Sequence, residues 1–178
     1  MTSEATIHKD EGLRLFQDGA YQEALEHFDK AHAMYLADNQ PLDAAEMLNN
    51  KGVIFRIEGR LDEAAQALEQ ARRIFAEAGD RSREAQTLGN LAPLYSKQGN
   101  VAKAIKTYYA AASVFDELND RQRYGEVMMA LGVLQFRQGQ RTAGLMSYES
   151  GLMAIENPTP QQKRTRMLLK VRQKLLGG

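Results

Sequence analysis

The sequence predicts an all-α protein, an α-solenoid of four helix pairs closed at its C-terminal end by one capping helix. Three observations predict it. Similar breaks return at a fixed interval: "DGAYQEAL" at 18–25, "EGRLDEAA" at 58–65, "QGNVAKAI" at 98–105 and "QGQRTAGL" at 138–145, so that Gly19, Gly59, Gly99 and Gly139 stand 40 residues apart. Between the breaks the apolar residues keep helical spacing, as do Leu61, Ala64, Ala65, Leu68, Ala71 and Phe75. Proline, which would interrupt helices, occurs only 4 times in 178 residues.

Each 40-residue unit reads as helix A, a tight glycine turn and helix B. Glycine adopts the left-handed conformation at a helix end without a Cβ penalty, so the four repeated glycines end the A helices. The joints between units repeat as well: Asn39, Gly79 and Asn119 are residue types that tolerate the same conformation, and Asp80 and Asp120 follow as N-caps. Pro41 suits the first turn of its helix. The helices are placed at about 4–18, 21–38, 41–58, 61–78, 80–98, 101–118, 120–138 and 141–156. The repeats then occupy residues 1–158 as units at about 4–38, 41–78, 80–118 and 120–156.

Residues 159–178 form the cap. Thr159 and Pro160 make a helix start. Counted in the 40-residue register, Met128 maps to Leu168, Leu131 to Val171 and Gln135 to Leu175, which predicts an apolar face on unit 4 and a basic face toward water. Residues 157–178 carry six basic side chains and no acid, +6, which leaves −6 on residues 1–156 and a net charge of zero. The basic face contains no interleaved aromatic residue, which argues against nucleic acid or a membrane as the partner.

Small residues recur where helices must approach: Gly12, Gly52, Ala92 and Gly132 on the A helices, and Ala24, Ala64, Ala104 and Gly144, then Ala31, Ala71, Ala111 and Gly151, on the B helices. Phe28, Leu68, Tyr108 and Tyr148 fill the spaces beside them. This small–large alternation in fixed register resembles the tetratricopeptide repeat over about residues 4–156, in a 40-residue form similar to the long repeats of Pins-type adaptors and kinesin light chains. The resemblance implies a right-handed superhelix. Gly144 and Gly151 depart from the alanines of the other units and are expected to loosen the last B helix.

Composition excludes several kinds of chemistry. With 43% hydrophobic and 26% charged residues the chain is an ordinary globular protein rather than a disordered one. It has no cysteine, hence no disulfide, zinc thiolate site or thiol nucleophile. The isolated glycines make no phosphate loop. His27 and His32 lie five residues apart, on different sides of a helix, so they do not form a metal site. No signal peptide or membrane span is apparent, and a cytoplasmic protein without a cofactor, and not an enzyme, is expected.

What remains is a binding surface. In the resembled family the A helices line a concave face, which by register assigns Asn49, Asn50, Val53 and Arg56 of unit 2, Asn90 and Lys97 of unit 3, and Val133, Phe136 and Arg137 of unit 4 to a peptide-binding groove. Asn50 and Asn90 would hold the backbone of an extended or helical segment of a partner protein, as the family resemblance implies, because an amide both donates and accepts. The competing reading has these asparagines bonded to neighbouring A helices. Arg56, Lys97 and Arg137 would select acidic side chains, with Val53, Val133 and Phe136 supplying apolar contact. The family's carboxylate clamp for chaperone tails is not expected, since Lys9 and Asn50 fit its pattern but Leu13, Gln86 and Asn90 do not. The alternative is a homo-oligomer: a structural or assembly subunit that self-associates through the solenoid ends.

Overall fold

In the computed structural model, residues 3–176 are described, with side chains through Val171; Leu175 of the predicted cap face therefore lies outside the described side chains. Among the described residues there is no strand, and the helices are α1 (Glu4–Gln17), α2 (Tyr21–Ala37), α3 (Pro41–Ile57), α4 (Leu61–Glu77), α5 (Arg81–Lys97), α6 (Val101–Glu117), α7 (Arg121–Arg137), α8 (Arg141–Ala154) and α9 (Pro160–Leu176). The fold is all-α, with helix pairs packed in tandem as in an α-solenoid. Its contacts divide into two compact units, Met1–Ala104 and Ile105–Gly178, with the division inside α6.

The turns share one construction. At the end of α3, Gly59 sits at φ 80°, its N–H donates to the carbonyl of Arg56, and the N–H of Arg60 donates to the carbonyl of Phe55. This is a Schellman motif, and it satisfies carbonyls that the ending helix would leave orphaned. Asparagine does the same at a joint: Asn119 lies at φ 56°, with its N–H on Asp116 and that of Asp120 on Phe115. Asp80 and Asp120 cap the following helices through bonds of 3.0 and 2.9 Å from the Arg83 and Arg123 amides.

In the first unit, a core of Leu25, Phe28, Ala31 and Tyr35 from α2 meets Met47 and Ile54 of α3. Polar links join successive pairs at one register position. Lys51 pairs with Asp29 and the Tyr95 hydroxyl donates to Glu69 in the first unit, while in the second Gln135 Nε2 donates to Tyr109 at 3.3 Å. Burial pushes the Glu69 carboxyl up, but the bonds from Tyr95 and Arg72 outweigh it and hold the group below the usual carboxylate range.

The second unit corrects the expected loosening of α8. A Cβ on Gly132 would stand 2.6 Å from the Gly144 carbonyl oxygen and from the Tyr148 nitrogen, and one on Gly151 would stand 2.5 Å from the Gly125 oxygen. Gly132 with Gly144, and Gly125 with Gly151, thus bring the backbones of α7 and α8 into direct contact. The propensity lost by glycine is exchanged for dispersion contacts along two turns.

The cap helix also differs from expectation. Its start is as predicted, with a reciprocal box in which the Gln162 amide donates to Thr159 Oγ1 at 3.3 Å and the Thr159 amide to Gln162 Oε1 at 2.7 Å. Its docked face is not. Arg166 Nε donates to the Leu152 carbonyl at 2.7 Å and the same guanidinium reaches the Ile155 carbonyl, so the half-buried stripe is Gln162, Thr165, Arg166 and Leu169. Leu168 and Val171 are exposed. The cause is the joint. The position equivalent to Asn39, Gly79 and Asn119 is Thr159, a β-branched residue unsuited to positive φ, and the chain instead leaves α8 at Ile155 with φ −52° and ψ 122°.

Gly132→Ala should lower the free energy of unfolding by about 1–3 kcal/mol, because backbone atoms cannot yield to the new methyl; helix propensity alone would raise it by about 1 kcal/mol, so urea denaturation decides by sign. Tyr95→Phe should cost about 1 kcal/mol at neutral pH after allowance for the partial exposure of Glu69. Since Glu69 titrates below its unfolded value, its contribution is complete above about pH 4.5 and disappears as pH falls through the folded value, so the wild-type and variant stabilities should converge in acid.

Candidate functional site

The A helices of the first unit, α1, α3 and α5, present one face to a recess of about 200 Å³ lined by Leu13, Phe16, Phe28, Asn49, Asn50, Val53, Gln86 and Asn90. Four of the groove residues expected from the sequence, Asn49, Asn50, Val53 and Asn90, therefore meet here. Their states differ. Asn90 Nδ2 donates to Oδ1 of the buried Asn49 at 3.0 Å, a link from α5 to α3. Asn90 thus follows the competing reading and spends its donor inside the protein. Asn50 is half-buried and its side-chain amide has no hydrogen-bond partner in the protein.

Val53 leads along the same helix stripe to Arg56. Arg56 Nε is buried and has no acceptor, while the Arg56 backbone carbonyl accepts from Lys97 Nζ at 2.9 Å. Lys97 is exposed, so α3 and α5 end with two adjacent cations, one free to be approached from solvent and one with an unanswered N–H. At the other end of these helices charges alternate, with Lys9 3.9 Å from Glu46, Arg83 3.9 Å from Glu46 and Arg83 3.5 Å from Asp43.

Val133, Phe136 and Arg137 belong to the second unit. They line an apolar-walled recess of about 340 Å³ together with Gly132, Gly144, Leu145 and Tyr148. Leu145 and Tyr148 are not among the groove residues that the sequence assigns. The register equates them with Leu25 and Phe28, which are buried in the first unit, and carries no sign that they lie open here.

Among the described residues no group of three His, Cys, Asp or Glu side chains is placed to hold an ion. His8 Nδ1 lies 3.1 Å from His27 Nδ1, one ring donating and the other accepting, and His32 Nδ1 lies 2.9 Å from the Ala44 carbonyl. The His8–His27 pair spans α1 and α2, and spacing along one helix could not have revealed it. No described helix is long and apolar enough to cross a membrane.

Known structures share this arrangement. BtubC (BKLC) from P. vanneervenii superposes with a TM-score of 0.62 at 23% identity, over 89% of this chain and 73% of that one. The N-terminal domain of stress-induced protein-1 (STI-1) from C. elegans superposes with a TM-score of 0.54 at 22% identity, over 74% of this chain and 94% of that one. At these identities the likeness is one of fold. No curated protein matches the chain. The sequence model of the tetratricopeptide repeat matches residues 3–77 and 43–111, more than half of the chain. Together with the repeated helix pairs and their small–large packing, this match shows that the chain belongs to the tetratricopeptide repeat family.

Proposed function

We propose that this protein is a non-enzymatic interaction module whose first unit holds an extended or helical segment of a partner protein against α1, α3 and α5. Tetratricopeptide repeats generally mediate protein–protein interaction and generally act as scaffolds rather than enzymes, which makes a partner protein the first ligand to consider. The observation that carries the reading is the unanswered polarity on one stripe of α3. Asn50 offers a donor and an acceptor at the recess, and Arg56 Nε is withheld from water without an acceptor. The half-buried Asn50 amide faces the recess, where a ligand's backbone could supply both an acceptor and a donor.

The division of labour follows from those states. Asn50 contacts the segment's backbone, Leu13, Phe16 and Val53 receive an apolar side chain, and Arg56 with Lys97 favours an acidic one. Asn90 contributes by fixing Asn49 between α5 and α3, and by the acceptor oxygen it has left. The two units are separate surfaces in this reading: Val133, Phe136 and Arg137 take no part in the first-unit site.

Asn50→Ala combined with Arg56→Gln should weaken partner binding about tenfold or more while leaving the helical circular dichroism unchanged. The check is affinity capture from the native host's lysate with wild type and variant side by side, quantified by mass spectrometry. Partners lost from the variant support the recess, and an identical set of retained partners overturns it.

A further inference from the structure

The outer face of α9 combines two properties that register alone would separate. Register turns the apolar residues of this helix inward and leaves its charges by themselves at the surface. The structure docks the other side, with Arg166 tied to the carbonyls of Leu152 and Ile155, so that Met167, Leu168 and Val171 stand 64%, 66% and 49% exposed. Lys163, Arg164 and Lys170 are exposed as well. At about 3.6 residues per turn, Met167, Val171 and Leu168 fall within one sector of roughly 100° opposite the docked stripe. Lys163 and Lys170 border that sector on the Met167 side, and Arg164 lies within it, one turn before Leu168.

We propose that α9 is a peripheral membrane element whose outer face lies flat on a bilayer surface rich in anionic phospholipid. An interfacial helix needs an apolar stripe to enter the acyl boundary and cations beside it to meet the headgroups, and this face supplies both. The long stems of Lys163, Arg164 and Lys170 let their charges rise to the phosphates while Met167, Leu168 and Val171 sink below them. The stripe is short and has no aromatic residue, so attachment depends on charge and apolar contact together. Residues 157–178 hold +6 against −6 on residues 1–156, so the attraction belongs to this end of the chain and the acidic body is turned away from the surface. Nucleic acid would answer the cations and leave the apolar stripe in water, which favours the bilayer. This contact is independent of peptide binding in the first unit.

Vesicles of phosphatidylserine and phosphatidylcholine in equal parts should pellet the full chain, and vesicles of phosphatidylcholine alone should not. Lys163→Gln with Lys170→Gln, and Leu168→Ser with Val171→Ser, alter exposed positions, so each pair should keep the helical spectrum while weakening vesicle binding about tenfold or more. A wild-type chain that ignores the anionic vesicles, or one that binds them equally well with the two serines, overturns the proposal. Duplex DNA of equal phosphate content supplies the charge without acyl chains. Binding to it that matches vesicle binding and survives the serines makes α9 a nucleic-acid site, which also overturns the proposal. Because the chain has no cysteine, Val171→Cys carries an environment-sensitive fluorophore at one place. Its emission should shift to the blue on the anionic vesicles, while a label at Gln22→Cys, exposed on α2, should not respond. Vesicle binding without a shift at position 171 shows that the apolar face stays in water and overturns the proposal.

Discussion

A left-handed residue at every twentieth position, from Gly19 through Asn39, Gly59, Gly79, Gly99 and Asn119 to Gly139, is the constraint on which the rest depends. Each one reverses the chain within three residues and closes the same pair of bonds onto the helix it ends. Equal turns make equal helices, and equal helices put the small and large packing residues at matching heights. The polar links at positions 29, 69 and 109 keep to the register although the residue types change from an ion pair to tyrosine–carboxylate and then to glutamine–tyrosine. Geometry is retained where chemistry is exchanged. Where the left-handed residue is lost, at Thr159, the register is lost with it.

The helices and turns were legible because their determinants are local. Periodicity sets a helix face, and glycine or asparagine sets its end, so eight helix positions could be read to within a residue or two. The face that α9 presents was not legible in the same way. Register assigns Leu168 and Val171 inward only if the preceding joint repeats, and the joint at 155–159 does not. Thr159 is a good N-cap, but the same residue removes the turn that the register presupposes.

The candidate site shows a second boundary of sequence reading. Asn50 and Asn90 occupy equivalent places, yet the Asn50 amide has no partner in the protein while Asn90 is bound to Asn49 on the preceding A helix. Equivalence in register fixes where a side chain starts. What it bonds to depends on a neighbour that differs from unit to unit. Gly144 and Gly151 illustrate the same point: propensity read them as weak helix residues, whereas their neighbours across the pair, Gly132 and Gly125, make them contact points.

Direct backbone contact between α7 and α8 has a consequence for how this sequence can drift over evolutionary time. Most buried positions in a protein accept a neighbouring amino acid of similar bulk, with small adjustments nearby. A glycine whose missing Cβ is replaced by another helix's carbonyl has no similar neighbour, since every other residue is larger in that direction. In the first two pairs the atoms that a Cβ on Gly12 or Gly52 would meet are those of the Phe28 and Leu68 side chains, which can shift, rather than backbone. The fourth is confined by four glycines, and its variation has to accumulate on its outward faces.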